Sequence, residues 1–378
     1  MPAGGRDVMA DVFLCGPLAE RRILDIVAGQ DVTLETHPAA VSGFALLGSA
    51  ATWFPALTVE EGQSVEGLVL RTTPADVAQR IEFLMQGVGA VPRQVILTDG
   101  SSAACFVTDH APDQTDCWQA ATWRAKWGLI AQAACQEIMS YFGRIDQPGL
   151  RWRMPMILAR AGARAAAVAG APADLRSDAS ADHVDVTSTD TPHQGFFLTR
   201  EYALQHPQFD GGTSDVLRRE VFVVSDAALV LPYDPRRDRV LLVEQFRMGP
   251  FGRGDPKPWV LEPVAGRIDA GETPEETAYR ECIEETGLHL SGLERISAHY
   301  CSPGCSTEYF HLFLGLCDLP DEGRTLGGLD SEAEDIRSHV IPFDRAMALL
   351  DSGEANNGPL VLSLIWLSKE RDRLRAIA

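Results

Sequence analysis

The segment from Gly266 to Leu288 constrains this chain more than any other stretch. Thr273 precedes Pro274, and Glu276 follows three residues after Thr273. A threonine N-cap answered by a glutamate, with proline where a missing N–H costs nothing, predicts a helix that starts at Pro274. Gly287 supplies the stop, so the helix is predicted over Pro274–Thr286. Glu281 and Glu285 then share a face, and Glu284 lies beside them. Three carboxylates that close repel one another unless a cation sits among them, and hard oxygen donors favour Mg²⁺ or Mn²⁺. A Glu-rich helix face with an arginine, here Arg280, is ordinarily just solvated surface. The helix alone does not decide between the two.

The spacing does. Gly266, five residues, Glu272, seven residues, then Arg280-Glu281-Cys282-Ile283-Glu284-Glu285-Thr286-Gly287-Leu288 fits the Nudix signature at every fixed position. Cys282 and Leu288 fill its apolar positions, and a buried cysteine behaves as a small hydrophobe. The chain therefore resembles the Nudix hydrolases. The resemblance implies an α/β (α+β) fold, a mixed sheet between helices, with Mg²⁺ or Mn²⁺ on the box helix. It implies Glu281, Glu285 and the backbone carbonyl of Ala265 as metal ligands. Glu284 and Arg280 belong to the catalytic set, and Arg280 pairs with Glu272 to brace the loop–helix–loop framed by Gly266 and Gly287.

Residues outside the box narrow the expected substrate. Ser302-Pro303-Gly304-Cys305-Ser306-Thr307-Glu308 would ordinarily be a Gly/Pro turn between strands. Its position after the box resembles the ADP-ribose pyrophosphatase subfamily and marks Pro303 and Glu308 for substrate binding. The segments 218–222, 242–247 and 259–266 resemble the same enzymes, in which arginines matching Arg218 or Arg219 and Arg247 contact substrate. Arginine suits bidentate phosphate recognition. The acidic stretch 329–336 resembles the subfamily's mobile loop, with Glu332 as general base and Glu334 helping to hold a metal. A base on a separate loop is physically sensible, because box carboxylates occupied by metal are poorly placed to take a proton. The implied reaction is Mg²⁺-dependent hydrolysis of ADP-ribose to AMP and ribose 5-phosphate by a homodimer. Two alternatives stand beside it: a hydrolase of another nucleotide sugar such as GDP-mannose, and an ADP-ribose sensor that binds without cleaving. The retained box carboxylates speak against the sensor.

Ahead of this half, residues 1–168 read as short strands followed by long helices over 117–142 and 151–168. Val12-Phe13-Leu14-Cys15-Gly16-Pro17-Leu18 resembles the opening of the γ-glutamylcyclotransferase-like fold, a smaller β-barrel/α domain. Ile81-Glu82-Phe83-Leu84-Met85 sits where that family carries its catalytic acid, and Met85 cannot transfer a proton, so an inactive domain is expected. The pairing of two such domains resembles bacterial proteins associated with tellurite resistance. Residues 169–194, rich in Ala, Asp, Ser, Thr and Pro, read as a linker before a Nudix domain at 195–378.

A formal net charge of −20 argues against nonspecific nucleic-acid binding. No apolar run approaches a membrane span, and Met1–Asp7 lacks a signal-peptide pattern. The eight cysteines follow no framework spacing, so free thiols in a cytoplasmic protein are expected. His299, Cys301, Cys305 and His311 fit no standard zinc spacing.

Overall fold

The computed structural model describes residues 11–29, 32–49, 51–108, 116–321, 323–328 and 334–376. The chain divides into two compact units, Met1–Gly170 and Ala171–Ala378.

The first unit contains β1 (Val12–Leu14), α1 (Arg21–Ala28), β2 (Thr36–Leu47), β3 (Ala56–Leu70), α2 (Ala75–Gly87), β4 (Val91–Ile96), β5 (Ser102–Val107), α3 (Ala120–Ser140) and α4 (Gln147–Ala166). Its sheet has the order β2-β3-β1-β5-β4. Among the described residues the expected barrel is not closed: the sheet edges approach at the bridge Val41–Leu97, just past β4. The segment 81–85 lies inside α2, where Ile81, Leu84 and Met85 are buried. Between α3 and α4 the buried Arg160 and Glu137 form an ion pair at 2.5 Å.

The second unit begins earlier than the composition suggests. Part of the expected linker, Asp185–Gln194, is β6, which pairs with β7 (Leu198–Gln205) and through it β8 (Leu217–Val223). Its residues are nearly all exposed. Hydrogen bonding of a polar strand leaves little hydrophobic trace in sequence, which is why it reads as linker.

The remaining elements are β9 (Ala227–Asp234), β10 (Arg239–Phe246), α5 (Met248–Arg253), β11 (Trp259–Glu262), β12 (Val264–Arg267), α6 (Pro274–Thr286), β13 (Gly292–Tyr300), β14 (Tyr309–Leu316), β15 (Gly323–Gly327), β16 (Ile336–Pro342), α7 (Phe343–Ser352) and α8 (Gly358–Ala376). The main sheet runs β13-β14-β9-β10-β16-β15, mixed because β14 lies parallel to β9. Period-two alternation divides its side chains between two cores. Leu231, Tyr233, Val240, Leu242 and Leu314 pack with Leu360, Leu364 and Leu367 of α8. Val230, Leu241, Val243 and Phe313 pack on the other face with Ala278 and Cys282 of α6. The sheet thus lies between helices.

Strands β9 and β10 pair only at their hairpin end, Arg239 with Asp234 and Val240 with Tyr233. Beyond it they splay, and β11 joins β10 while β12 joins β9. Pro263 stands at the crossover between them. It offers no N–H to either ladder, so the break in pairing falls where it costs least.

Asp238 anchors the hairpin end to α8. It accepts from Tyr233 Oη at 2.7 Å and from Arg371, and pairs with Arg375 Nη1 at 2.8 Å. Burial pushes its carboxyl up, but the hydrogen bonds from Arg371, Tyr233 and Arg375 outweigh that, holding the pKa at about 2, below its ordinary 3.8. A depressed carboxyl contributes stability above its unfolded value and loses it as pH falls through the folded one. Asp238→Asn should therefore cost about 1–3 kcal/mol at neutral pH. Denaturant titrations from pH 5 downward should show a flatter acid loss than wild type between about pH 4 and pH 2.

Candidate metal and phosphate site

Helix α6 forms as the sequence predicts. Thr273 Oγ1 accepts from Glu276 N at 3.2 Å, and Glu276 Oε2 accepts from Thr273 N at 2.7 Å. Gly287, at φ 70°, ends the helix in the left-handed region. Cys282 is fully buried against the sheet, which turns the glutamates toward the preceding loop.

Arg280 lies at the centre of the carboxylates. Its Nε and Nη2 meet Glu272 Oε1 and Oε2 at 3.1 and 3.0 Å. Its Nη1 meets Glu281 Oε1 at 2.6 Å and Glu284 Oε2 at 2.9 Å. Nη2 also donates to the Arg267 carbonyl at 3.3 Å. Burial alone would lower the Arg280 pKa, but the surrounding carboxylates raise it, so it stays charged. Thr277, buried and outside the predicted set, donates to Glu272 Oε2 at 2.7 Å. Its position one turn after the N-cap could have revealed it.

Two carboxylates hold a proton more tightly here than an ordinary glutamate does. Burial pushes Glu281 up to about 7, despite the opposing charge of Arg280. Glu285, 2% exposed, is pushed up to about 9, mainly by burial and then by Glu281 and Glu334, while Arg247 and the Ala265 amide oppose. Glu285 Oε2 is buried with no hydrogen-bond partner. An orphaned carboxylate oxygen in a dry site is costly unless a cation takes it up. Among the described residues, no three His, Cys, Asp or Glu side chains already converge as a metal cage. The donor set nevertheless fits a hard divalent cation: the orphaned Glu285 oxygen, Glu281, Glu334 near both, and the backbone at Ala265.

Gly266 makes that arrangement possible. A Cβ there would fall 1.9 Å from the Glu281 carboxyl carbon. The Glu281 side chain thus lies directly over the Gly266 backbone, in the space a larger residue would need.

Other predicted residues fall into place unevenly. Arg247 Nε meets Glu262 Oε2 at 2.7 Å, and its charge reaches Glu285. Glu262 was not predicted, although it immediately precedes the Pro263 break. The loop carrying Pro303 is fixed by Thr307, which accepts from Val224 N at 2.9 Å and donates to Val224 O at 3.0 Å. Phe222 N adds a bond to Cys305 O at 2.8 Å, so the loop is stapled to the end of β8. Pro303 itself is exposed, and Glu308 accepts from Cys301 Sγ at 2.9 Å. His299 instead contacts Ser297 at 3.1 Å, and His311 lies 3.9 Å from Asp226.

Arg218 and Arg219 are not brought to the box. Arg218 pairs with Glu201 at 2.7 Å, and Arg219 donates to the Arg218 carbonyl. Both project from β8, whose pairing with β7 occupies Arg218 on the three-stranded sheet. Glu332 lies outside the described residues.

A carboxylate cluster braced by an arginine, on a helix packed under a mixed sheet, is chemically suited to holding a divalent cation against a phosphate. The NUDIX domain model matches residues 224–364. ADP-ribose pyrophosphatase of Escherichia coli (strain K12) is 36% identical over 192 residues, 51% of this chain and 91% of that protein. ADP-ribose pyrophosphatase of Haemophilus influenzae is 36% identical over 190 residues, 50% of this chain and 87% of that protein. GDP-mannose pyrophosphatase of Pectobacterium atrosepticum is 30% identical over 181 residues, 48% of this chain and 92% of that protein. The chain belongs to the Nudix family and is a pyrophosphohydrolase. No described helix is long and apolar enough to cross a membrane.

Gly266→Ala should swing Glu281 out of the cluster while leaving both cores intact. Mg²⁺ affinity by calorimetry is expected to fall on the order of tenfold to a hundredfold, with Tm within a few degrees of wild type.

Proposed function

We propose that the second unit hydrolyses ADP-ribose to AMP and ribose 5-phosphate with Mg²⁺. What supports this reading is the buried Glu285, with an oxygen left without a hydrogen-bond partner, within reach of the charge of Arg247: a carboxylate suited to a metal and a cation suited to a phosphate. Mg²⁺, when bound, neutralises the pyrophosphate and polarises a phosphorus atom. Glu281 and Glu285 would hold it, with the Ala265 carbonyl and Glu334. Arg280 keeps Glu272, Glu281 and Glu284 in fixed positions. Arg247 binds a phosphate oxygen, and the stapled Ser302–Glu308 loop borders the non-nucleotide end of the substrate. Glu332, assigned by resemblance, takes the proton from the attacking water.

A nucleotide sugar such as GDP-mannose is the second reading, favoured by the Pectobacterium atrosepticum relative. A homodimer accompanies either reading. Among the described residues Arg218 pairs with Glu201 and Arg219 with the Arg218 carbonyl, away from the box, so a second chain would give them a substrate to contact. For the first unit we propose a γ-glutamylcyclotransferase-like domain without catalysis. Met85 is buried in its core, and Gly16 is packed against Pro55 and Leu46.

AMP release from ADP-ribose, with GDP-mannose as competitor and with Mg²⁺ or EDTA, tests the assignment. Mg²⁺-dependent AMP formation, preferred over GMP formation, is expected. Glu332→Gln should lower kcat about 10²–10⁴-fold with substrate affinity nearly unchanged. Near-normal turnover in that variant removes Glu332 from the mechanism.

A further inference from the structure

Arg247 carries a detail that its role as a phosphate ligand does not explain. In the β10–β11 hairpin, Phe246 faces Trp259 and Val243 faces Glu262. Arg247 follows β10, with its N–H on the Pro258 carbonyl at 2.9 Å. Its backbone therefore lies at the end of the hairpin away from Glu262. To meet Glu262 at 2.7 Å, the side chain folds back along the strands. Val243, opposite Glu262, packs in the core beneath α6, so this return path runs along the box face of the sheet. The Glu262 side chain is only 17% exposed, less than half the 40% of Arg247. The acid is the more buried partner and the arginine the more exposed one.

The contact uses Nε alone. Among the described residues, no acceptor meets either Nη of Arg247. A guanidinium gripped at one nitrogen keeps its other donors, in a fixed plane, for an anion. Left ungripped, a long arginine would have to surrender rotamer freedom whenever substrate bound.

We propose that Glu262 is a positioning residue, holding Arg247 by Nε so that its two Nη atoms face a non-bridging oxygen of the substrate pyrophosphate. This rests on the reading of the second unit as a nucleoside diphosphate hydrolase. The ion pair is part of the binding geometry, beyond its service as a tie across the hairpin.

The test compares wild type, Glu262→Gln, Glu262→Ala, Arg247→Ala and the Arg247→Ala/Glu262→Ala double variant. The dissociation constant for ADP-ribose is measured by calorimetry in EDTA, where no turnover occurs, and KM and kcat are measured with Mg²⁺. Glu262→Ala should raise both Kd and KM about tenfold to a hundredfold, with kcat changing much less. Glu262→Gln, which keeps size and an acceptor oxygen but not the charge, should fall between. In the Arg247→Ala background, loss of Glu262 should add nothing to Kd or KM. A Glu262→Ala variant with lower Tm but unchanged Kd and KM would overturn the proposal, as would full additivity with Arg247→Ala. Failure of wild type itself to bind or cleave ADP-ribose or GDP-mannose overturns the substrate reading instead, and is seen before any variant is compared.

Discussion

The site depends on one guanidinium. Arg280 satisfies acids from the loop, Glu272, and from its own helix, Glu281 and Glu284, while also bonding the Arg267 carbonyl at the end of β12. Without it, Glu281 and Glu284 would lose the guanidinium they share, and the loop before the helix would lose its anchor. Removing one partner of such a network costs more than the network contributes in net stability, because the remaining charges stay desolvated. The brace therefore specifies geometry more than it adds stability. It keeps the acids close enough that a cation is attractive to them, yet leaves one oxygen of Glu285 with nothing to bind.

Burial and charge divide the work around this brace. Glu285 is deep, and its proton affinity is high because little solvent reaches it. Glu272 is more open and tightly hydrogen-bonded, so its pKa is lowered despite burial. Two glutamates on one loop–helix unit thus behave oppositely, one as a permanent anion that shapes the backbone, the other as an acid that gives up its proton only to something more strongly attracting. Arg247 approaches from another hairpin and completes the balance of charge around Glu285.

Much of this was legible in the chain. The helix Pro274–Thr286 follows from local chemistry alone, since Thr273, Glu276 and Gly287 each act within a few residues. The apolar run Val240–Val243 divides in the structure between the two cores, alternate residues facing each. Interactions between distant segments were harder to see. Glu262 looks like an ordinary strand residue until the hairpin register brings Arg247 back over it. The need for glycine at 266 is visible as a motif, but the collision it avoids belongs to the packed helix. Strand β6 was misread because a polar edge strand is specified by its neighbour's backbone rather than by its own side chains. Strand β15, ahead of the acidic stretch 329–336, pairs with β16 at the edge of the sheet.

The crossover at Pro263 has a consequence for how such a site can vary. The residue that grips Arg247 and the backbone that faces Glu285 lie within one extended run, Glu262 to Ala265, pinned to β10 at one end and to β9 at the other. That run acts as a ruler with both ends fixed. Adding or deleting one residue within it would turn either the acid or the Ala265 backbone toward the wrong side of the sheet. Surface loops elsewhere in the unit can change length without disturbing chemistry. Variation is therefore expected to collect in the loops, while the spacing between the Arg247–Glu262 pair and Glu285 is held constant by this one run across the β11–β12 break.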